Sequence, residues 1–335
     1  MKNAILLSFI LITTVSLYAQ LQPSEDMRGW AILFEDDMTS FNTNLWYKDN
    51  YSTHGEGADE EPQIYVQENV SNSNGKLILT AHKVTPSIPH PQNSNCHYNN
   101  HHQYTSGQIF SNYTYQYGYY EIYAKLPAGQ GAWPAFWFWQ EDKNPANPWY
   151  NEIDVFEGDG SIIDSLSTNR FWSNTNPLYQ TAIRKVIFYA CNYSQGYHWY
   201  GVKWDKNRIM WYFDRHCVRE ELNTYGGYGI QHPLNIIINL ALTPGTTMNS
   251  TYNMYVDQVN AYQLDCSDKN VVQNEIADFS TYNYKVKKSI TLSGATTVPS
   301  NGNIVLYATD YVRLNAGFSV PLGTEFTIDT CDECN

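Results

Sequence analysis

Three carboxylates fall within six residues, Glu152, Asp154 and Glu157, in the stretch Asn151-Glu-Ile-Asp-Val-Phe-Glu157. Side chains alternate between faces along a regular strand, so Glu152 and Asp154 share a face, whereas Glu157, at an odd offset from Glu152, points away from it. One extra residue at Val155-Phe156, a β-bulge, returns Glu157 to the side of the other two. Like charges brought this close cannot all ionise freely, so the pKa of at least one carboxyl is raised. One ionised and one protonated carboxyl about 5 Å apart is what retaining hydrolysis of a glycosidic bond needs, one as nucleophile and one as general acid/base. Two other readings stand beside this one. Acids on a strand are often a solvated face, although the apolar Ile153, Val155 and Phe156 give this strand a buried side too. An oxygen-only cluster also suits Ca²⁺.

The preceding stretch, Gly129-Gln-Gly-Ala-Trp-Pro-Ala-Phe-Trp-Phe-Trp139, alternates. Trp133, Trp137 and Trp139 fall on one face, and Phe136 and Phe138 on the other. One face must meet a core and the other a cleft. For Trp139, core packing is as good a reading as ligand contact.

The elements that would position these residues are strands. Lys76 to Ala81, announced by Asn74-Gly75, is one, and Tyr117 to Leu126 is another, ending at Pro127. Tyr200 to Trp204, the turn Asp205-Lys206-Asn207 and Ile209 to Asp214 form a hairpin. Asn235 to Leu242 and Met254 to Leu264 are further apolar strands, and no amphipathic helix of ten or more residues follows the N-terminus. Many strands separated by Gly, Pro and Asn turns specify an all-β sandwich.

The chain has 335 residues, enough for one large domain and a small one. The formal charge is −13 and no Lys/Arg cluster occurs, which argues against a nucleic-acid partner and, less strongly, against a densely anionic polymer. Aromatics reach 15%, so many flat, polar-edged surfaces can face a ligand. Lys2, the apolar run Ala4 to Tyr18 and the small Ala19 read as a signal peptide over 1–19 cleaved near Ala19, hence a secreted or cell-surface protein; the alternative is an N-terminal membrane anchor. No later segment is long and apolar enough to span a bilayer. Six cysteines (Cys96, Cys191, Cys217, Cys266, Cys331 and Cys334) allow fifteen pairings, none selected by the sequence. A polar stretch over 267–284 reads as a linker, and 285–335 as a small β-rich C-terminal module. Such a module is too small for a comfortable core of its own, so it docks on the main domain or is held by a disulfide.

The bulged Glu-Ile-Asp-Val-Phe-Glu, preceded by Gly-Ala-Trp-Pro-Ala-Phe-Trp, resembles the signature of glycoside hydrolase family 16, closest to its laminarinase-like branch of endo-β-1,3-glucanases. Phe34-Glu-Asp-Asp-Met38, Gln63-Ile-Tyr65, Tyr104-Thr-Ser-Gly-Gln-Ile109, Tyr117 to Pro127, Tyr197 to Trp204 and Met254 to Val259 follow in the family's order, so the likeness covers about 24–266. It implies a jelly-roll β-sandwich of the concanavalin A-like lectin/glucanase type, with an open cleft on its concave face. It also implies Glu152 as nucleophile, Glu157 as general acid/base and Asp154 tuning the nucleophile between them. The substrate implied is a β-linked polysaccharide, cleaved by a monomer without a catalytic cofactor, with Trp133 and Trp137 lining subsites. Departures touch the glycan rather than the chemistry. The His usual on the strand after the catalytic one is missing from Ser167-Thr-Asn-Arg-Phe-Trp172, where Asn169, Arg170 and Trp172 stand as glycan contacts instead. Position 147 is Asn rather than Trp, and Trp149 substitutes from a shifted loop. Glu60 stands where relatives often have Asn before Glu-x-Gln. Agarases and carrageenases share the bulged motif, so a red-algal galactan is the alternative substrate. A carbohydrate-binding protein without activity and a calcium-dependent adhesin are the alternatives of another class.

Asp257 resembles a position that helps bind a structural calcium in this family. Cys96-His97 and His101-His102 fit no zinc spacing and lie in a Pro/Asn/Ser-rich stretch, 86–102, read as a loop bordering the cleft. The segments Asn315-Ala-Gly-Phe-Ser-Val320 and Gly323-Thr-Glu-Phe326 resemble small β-modules at the ends of secreted bacterial proteins.

Overall fold

A computed structural model describes residues 27–54, 61–89, 101–140, 150–173, 181–188, 191–223, 229–268 and 276–330. The expected signal peptide, Cys96, His97, Trp149, Cys331 and Cys334 lie outside these residues. Two sheets face each other across one apolar core. The larger runs β15 (His216–Leu222), β14 (Arg208–Phe213), β13 (His198–Trp204), β8 (Gly118–Lys125), β17 (Tyr252–Leu264), β5 (Lys76–Pro89), β6 (His101–Ser106) and β3 (Gln63–Tyr65). Two more strands join it, β1 (Trp30–Asp36) beside β17 and β4 (Val70–Ser73) beside β5. The second sheet runs β12 (Thr181–Phe188), β11 (Ser165–Ser173), β10 (Tyr150–Gly158), β9 (Ala132–Trp139), β16 (Leu234–Leu242), β7 (Gln108–Tyr115) and β2 (Trp46–Lys48). This is the jelly-roll sandwich the sequence implies.

Local sequence explains most of these strands. All nine residues of β16 are buried, as its continuous apolar run requires, and it sits centrally between β9 and β7. Asn74 and Gly75, both at positive φ, close the tight hairpin from β4 to β5. The hairpin from β13 to β14 pairs Trp204 with Ile209 and Tyr200 with Phe213. The expected loop over 86–102 is shorter than the sequence suggests, because β5 continues to Pro89 and β6 begins at His101.

The turn from β14 to β15 is less obvious from sequence. Asp214 and Arg215 both lie at positive φ, a conformation that Arg does not favour. A buried ion pair compensates. Arg215 donates from Nε (3.1 Å) and Nη2 (2.7 Å) to the two oxygens of Glu121, which is fully buried on the outward side of β8. The Tyr119 hydroxyl (3.0 Å) and Asn260 Nδ2 (2.9 Å) complete the shell of that carboxylate. The guanidinium also covers the ring of Trp199 at 3.9 Å.

The C-terminal module is a parallel sheet of β18 (Ile276–Asp278), β19 (Lys287–Thr297), β20 (Asn303–Leu314) and β21 (Glu325–Thr330). Ile290 pairs with Val312, Leu292 with Leu314 and Ile304 with Phe326, each partner 22 residues along the chain. The expected linker needs correction, since Ile276, Phe279 and Tyr284 are part of the module's core. Docking on the sandwich is extensive. Val286 and Tyr307 pack against Leu264 and Cys266. The Arg28 guanidinium stacks on Tyr284 at 4.1 Å and donates to the Asn303 carbonyl. Lys285 pairs with Asp265 at 3.0 Å. Gly29, at positive φ, passes so close to the Tyr284 carbonyl that a Cβ would lie 2.1 Å from its oxygen. Cys266 is disulfide-bonded, whereas Cys191 and Cys217 carry thiols. Among the described residues no helix is long and apolar enough to cross a membrane.

Removing one partner of a buried ion pair leaves an uncompensated charge in the interior. Arg215→Met should therefore lower the unfolding free energy by about 3–5 kcal/mol, read from denaturant unfolding. An unchanged midpoint would show that the pair does not hold the β14–β15 turn.

Candidate active site

Strand β10 lies between β9 and β11, and its register contains the bulge read from the sequence. Asp154 faces Asn169 and Glu157 faces Ser167, so Val155 and Phe156 together oppose one residue of β11. The same shift occurs against β9, where Asp154 faces Trp137 and Glu157 faces Ala135. Val155 and Phe156 stay in the core, while Glu152, Asp154 and Glu157 share the outer face. Trp211, on β14 of the opposite sheet, donates its Nε1–H to the Asp154 carbonyl at 2.9 Å and so ties the bulge across the core.

The three carboxyls differ in their surroundings. Glu157 is half-buried and accepts from Trp133 Nε1 (2.9 Å), Ser167 Oγ (3.3 Å) and Asn169 Nδ2. Glu152 is half-buried as well, and Asp154 is buried between them. Burial, first, and then the charges of Glu152 and Glu157 push the Asp154 carboxyl well above the usual carboxylate range, while a hydrogen bond from Asn169 opposes the shift. The trio therefore keeps a proton to higher pH than a free carboxyl would, centred on Asp154. A cavity of about 440 Å³ opens beside Glu157, lined by Trp133, Ile162, Ser165, Ser167 and Phe171.

Trp133, Trp137 and Trp139 lie on the outer face and Phe136 and Phe138 are fully buried in the core, as the alternation requires. Asn169 reaches Glu157. The other two residues proposed for β11 do not join it. Arg170 and Trp172 occupy the opposite face of the strand and are buried, and Arg170 donates to the carbonyls of Leu222 (3.1 Å) and Asn223 (2.5 Å). Alternation assigns that face to even-numbered residues of β11, so Phe171, which lines the cavity, takes the place expected of Trp172. The carboxylate of Asp257, the residue expected to help bind a structural calcium, is paired within the chain. Lys76 Nζ is bonded to its carboxylate, and among the described residues no group of three or more His, Cys, Asp or Glu side chains could hold a metal.

Several site residues escaped the sequence reading. His54 approaches Trp137 edge-on, with ring centroids 5.9 Å apart, and pairs through Nε2 with Gln108 Oε1 at 2.9 Å. Asn239 accepts from Trp137 Nε1 at 2.9 Å. Asn235 and Asn239 interrupt an otherwise apolar run at a same-face spacing, a signal that could have placed them here.

A two-sheet sandwich with a bulged carboxyl trio set among tryptophans on one outer face is the architecture of a glycosidase cleft. The family model described as glycosyl hydrolases family 16 matches residues 58–284, and the chain belongs to that family. An endo-1,3-1,4-beta-glycanase of Rhizobium meliloti is 30% identical over 206 residues, 58% of this chain and 40% of that protein. A kappa-carrageenase of Pseudoalteromonas carrageenovora is 31% identical over 243 residues, 65% of this chain and 59% of that one. This chain thus aligns with less than two thirds of either relative. The catalytic domain of an endo-1,3-beta-glucanase (laminarinase) from Thermotoga petrophila superposes with a TM-score of 0.57 at 22% identity, over 70% of this chain and 98% of that domain.

Because Asp154 keeps its proton to a higher pH in the native state than in the unfolded chain, the native state binds more protons above the ordinary value of 3.8. Stability contributed at this position is therefore lost as pH rises from that value through the raised one. Asp154→Asn abolishes the loss, so the variant should gain on the wild type in thermal unfolding at pH 7 relative to pH 4. Equal offsets at the two pH values would show that the carboxyl is not held protonated.

Proposed function

We propose that this chain is a retaining endo-glycosidase acting on a β-linked polysaccharide, with β-1,3-glucan as first substrate. The observation that carries this reading is the convergence of Glu152, Asp154 and Glu157 on one outer face beside a tryptophan-lined cavity. Glu152 attacks the anomeric carbon as the glycosidic C–O bond breaks, and Glu157 gives its proton to the leaving oxygen. Water then enters, Glu157 takes its proton, and the glycosyl–Glu152 bond is cleaved with net retention. The assignment of nucleophile and acid follows the order of the two Glu in the family. Asp154, whose carboxyl keeps its proton to higher pH than a free one, hydrogen-bonds to the nucleophile. Nucleophile and proton both come from the chain, so the reaction needs no cofactor.

A neutral glycan fits the cleft better than a sulfated one. Among the described side chains on the outer face of β9, β10, β11 and β16 there is no Lys or Arg, and the chain carries −13 overall. The 31% identity to a kappa-carrageenase supports a second reading, the same chemistry on a red-algal galactan. Lys2, the apolar run to Tyr18 and Ala19 support secretion or surface display, with residues 1–19 removed.

Reducing-end release on laminarin, mixed-linkage β-glucan, agarose and carrageenan separates these readings. Laminarin should be cleaved, Glu152→Gln should abolish turnover, and Glu157→Gln should lower it by about 10²–10⁴. Cleavage of a galactan alone would move the substrate and keep the mechanism. Near-normal turnover by folded Glu152→Gln would overturn the assignment.

A further inference from the structure

Trp137 stands across from Asp154 on the neighbouring strand, and it is the one member of a longer polar chain that reaches the cleft. Its Nε1–H donates to Asn239 Oδ1 at 2.9 Å. Asn239 Nδ2 donates to the Tyr65 hydroxyl oxygen at 2.8 Å, and that hydroxyl donates to Glu61 Oε2 at 2.9 Å. The same carboxylate oxygen accepts from Gln63 Nε2 at 2.6 Å, and Gln63 Oε1 accepts from the Leu242 amide at 3.1 Å. The chain thus runs from β9 through β16 to β3, joining the two sheets. Its direction is fixed. An indole can only donate, so Asn239 must turn its oxygen to Trp137 and its amide to Tyr65, which leaves the tyrosine hydroxyl to donate to Glu61.

Glu61, Gln63, Tyr65 and Asn239 are all buried, and burial together with nearby groups drives the Tyr65 hydroxyl well above its ordinary range. Four buried polar groups are a poor way to stabilise a sandwich, since apolar side chains of similar shape fill the space at no desolvation penalty. What such a network does well is fix geometry. Here it fixes one edge of an indole, and the ring of His54 abuts the same residue at 76°.

We propose that Glu61, Tyr65 and Asn239 are positioning residues that hold the plane of Trp137, making its ring a stacking platform for a sugar next to the carboxyl trio. They set glycan affinity without touching the reacting atoms. The sugar in this statement rests on the glycosidase reading, whereas the relay itself rests on the hydrogen bonds.

The test begins with Tyr65→Phe, which breaks the relay at its middle while keeping the ring. KM on laminarin should rise about five- to tenfold with kcat within about twofold, because binding common to ground and transition states is lost. In a Glu152→Gln background, the Kd for laminarihexaose should rise by the same factor. Glu61→Ala should behave alike, and Glu61→Gln, whose carbonyl still accepts from Tyr65, should restore wild-type values. The Trp137 Nε1–H resonance, assigned by its absence in Trp137→Phe, should move in Tyr65→Phe and not in Glu61→Gln. Unchanged KM, Kd and indole resonance in folded Tyr65→Phe would overturn the proposal. If the parent chain cleaves no glycan while Tyr65→Phe still weakens hexaose binding and shifts the resonance, the relay stands and the hydrolase reading falls.

Discussion

Everything at this site depends on holding three acidic side chains on one side of a strand whose other side is core. A regular strand from Glu152 to Glu157 would drive one end of the trio into the sandwich, where an isolated carboxylate is very unfavourable. The bulge resolves this by letting both Val155 and Phe156 pack inward while the acids stay outside. A bulge leaves backbone groups out of the ladder, and the indole of Trp211 meets the Asp154 carbonyl from the facing sheet. The core is thus not only a support beneath the site but supplies one of its hydrogen bonds.

Neutral donors do the rest. Trp133, Ser167 and Asn169 serve Glu157, and Trp137 is itself anchored by an amide rather than an ion. A Lys or Arg at any of these positions would favour full ionisation of the trio and remove the protonated member that two-carboxyl chemistry requires. The one well-formed buried ion pair described above, Arg215 with Glu121, lies instead on the outward side of the ten-stranded sheet.

Much of this was legible in the residues. The acids declared their own bulge, because only an inserted residue reconciles an odd spacing with convergence on one face. Period-two counting placed Trp133 and Trp137 correctly, and the same counting, applied to β11, separates Asn169 from Arg170 and Trp172. The long-range partners were not legible. Nothing local to His54 or Glu61 says that β3 will lie against β16, since that contact is made by chain separated by well over a hundred residues. The segment 276–284 was similarly opaque. Ile276 and Phe279 look like isolated apolar residues in a polar stretch, and their partners appear only when β18 pairs in parallel with β19.

That parallel pairing also explains why the C-terminal module is fused so tightly to the sandwich. A ladder in which most residues stack on one 22 positions later buries a narrow apolar column, too small to balance the ordering of its chain. Docking Val286 and Tyr307 against Leu264 and Cys266 extends that column into the larger domain. The attachment uses Arg28, Gly29, Leu264 and Asp265, which lie at the outer ends of β1 and β17. Asp329 of β21 feels the charges of Lys203, Asp205 and Arg208 at the β13–β14 turn. All of these contacts belong to the ten-stranded sheet, whereas the carboxyl trio belongs to the other. The module therefore stabilises the sandwich from the side away from β10 and leaves the cleft face to the tryptophans.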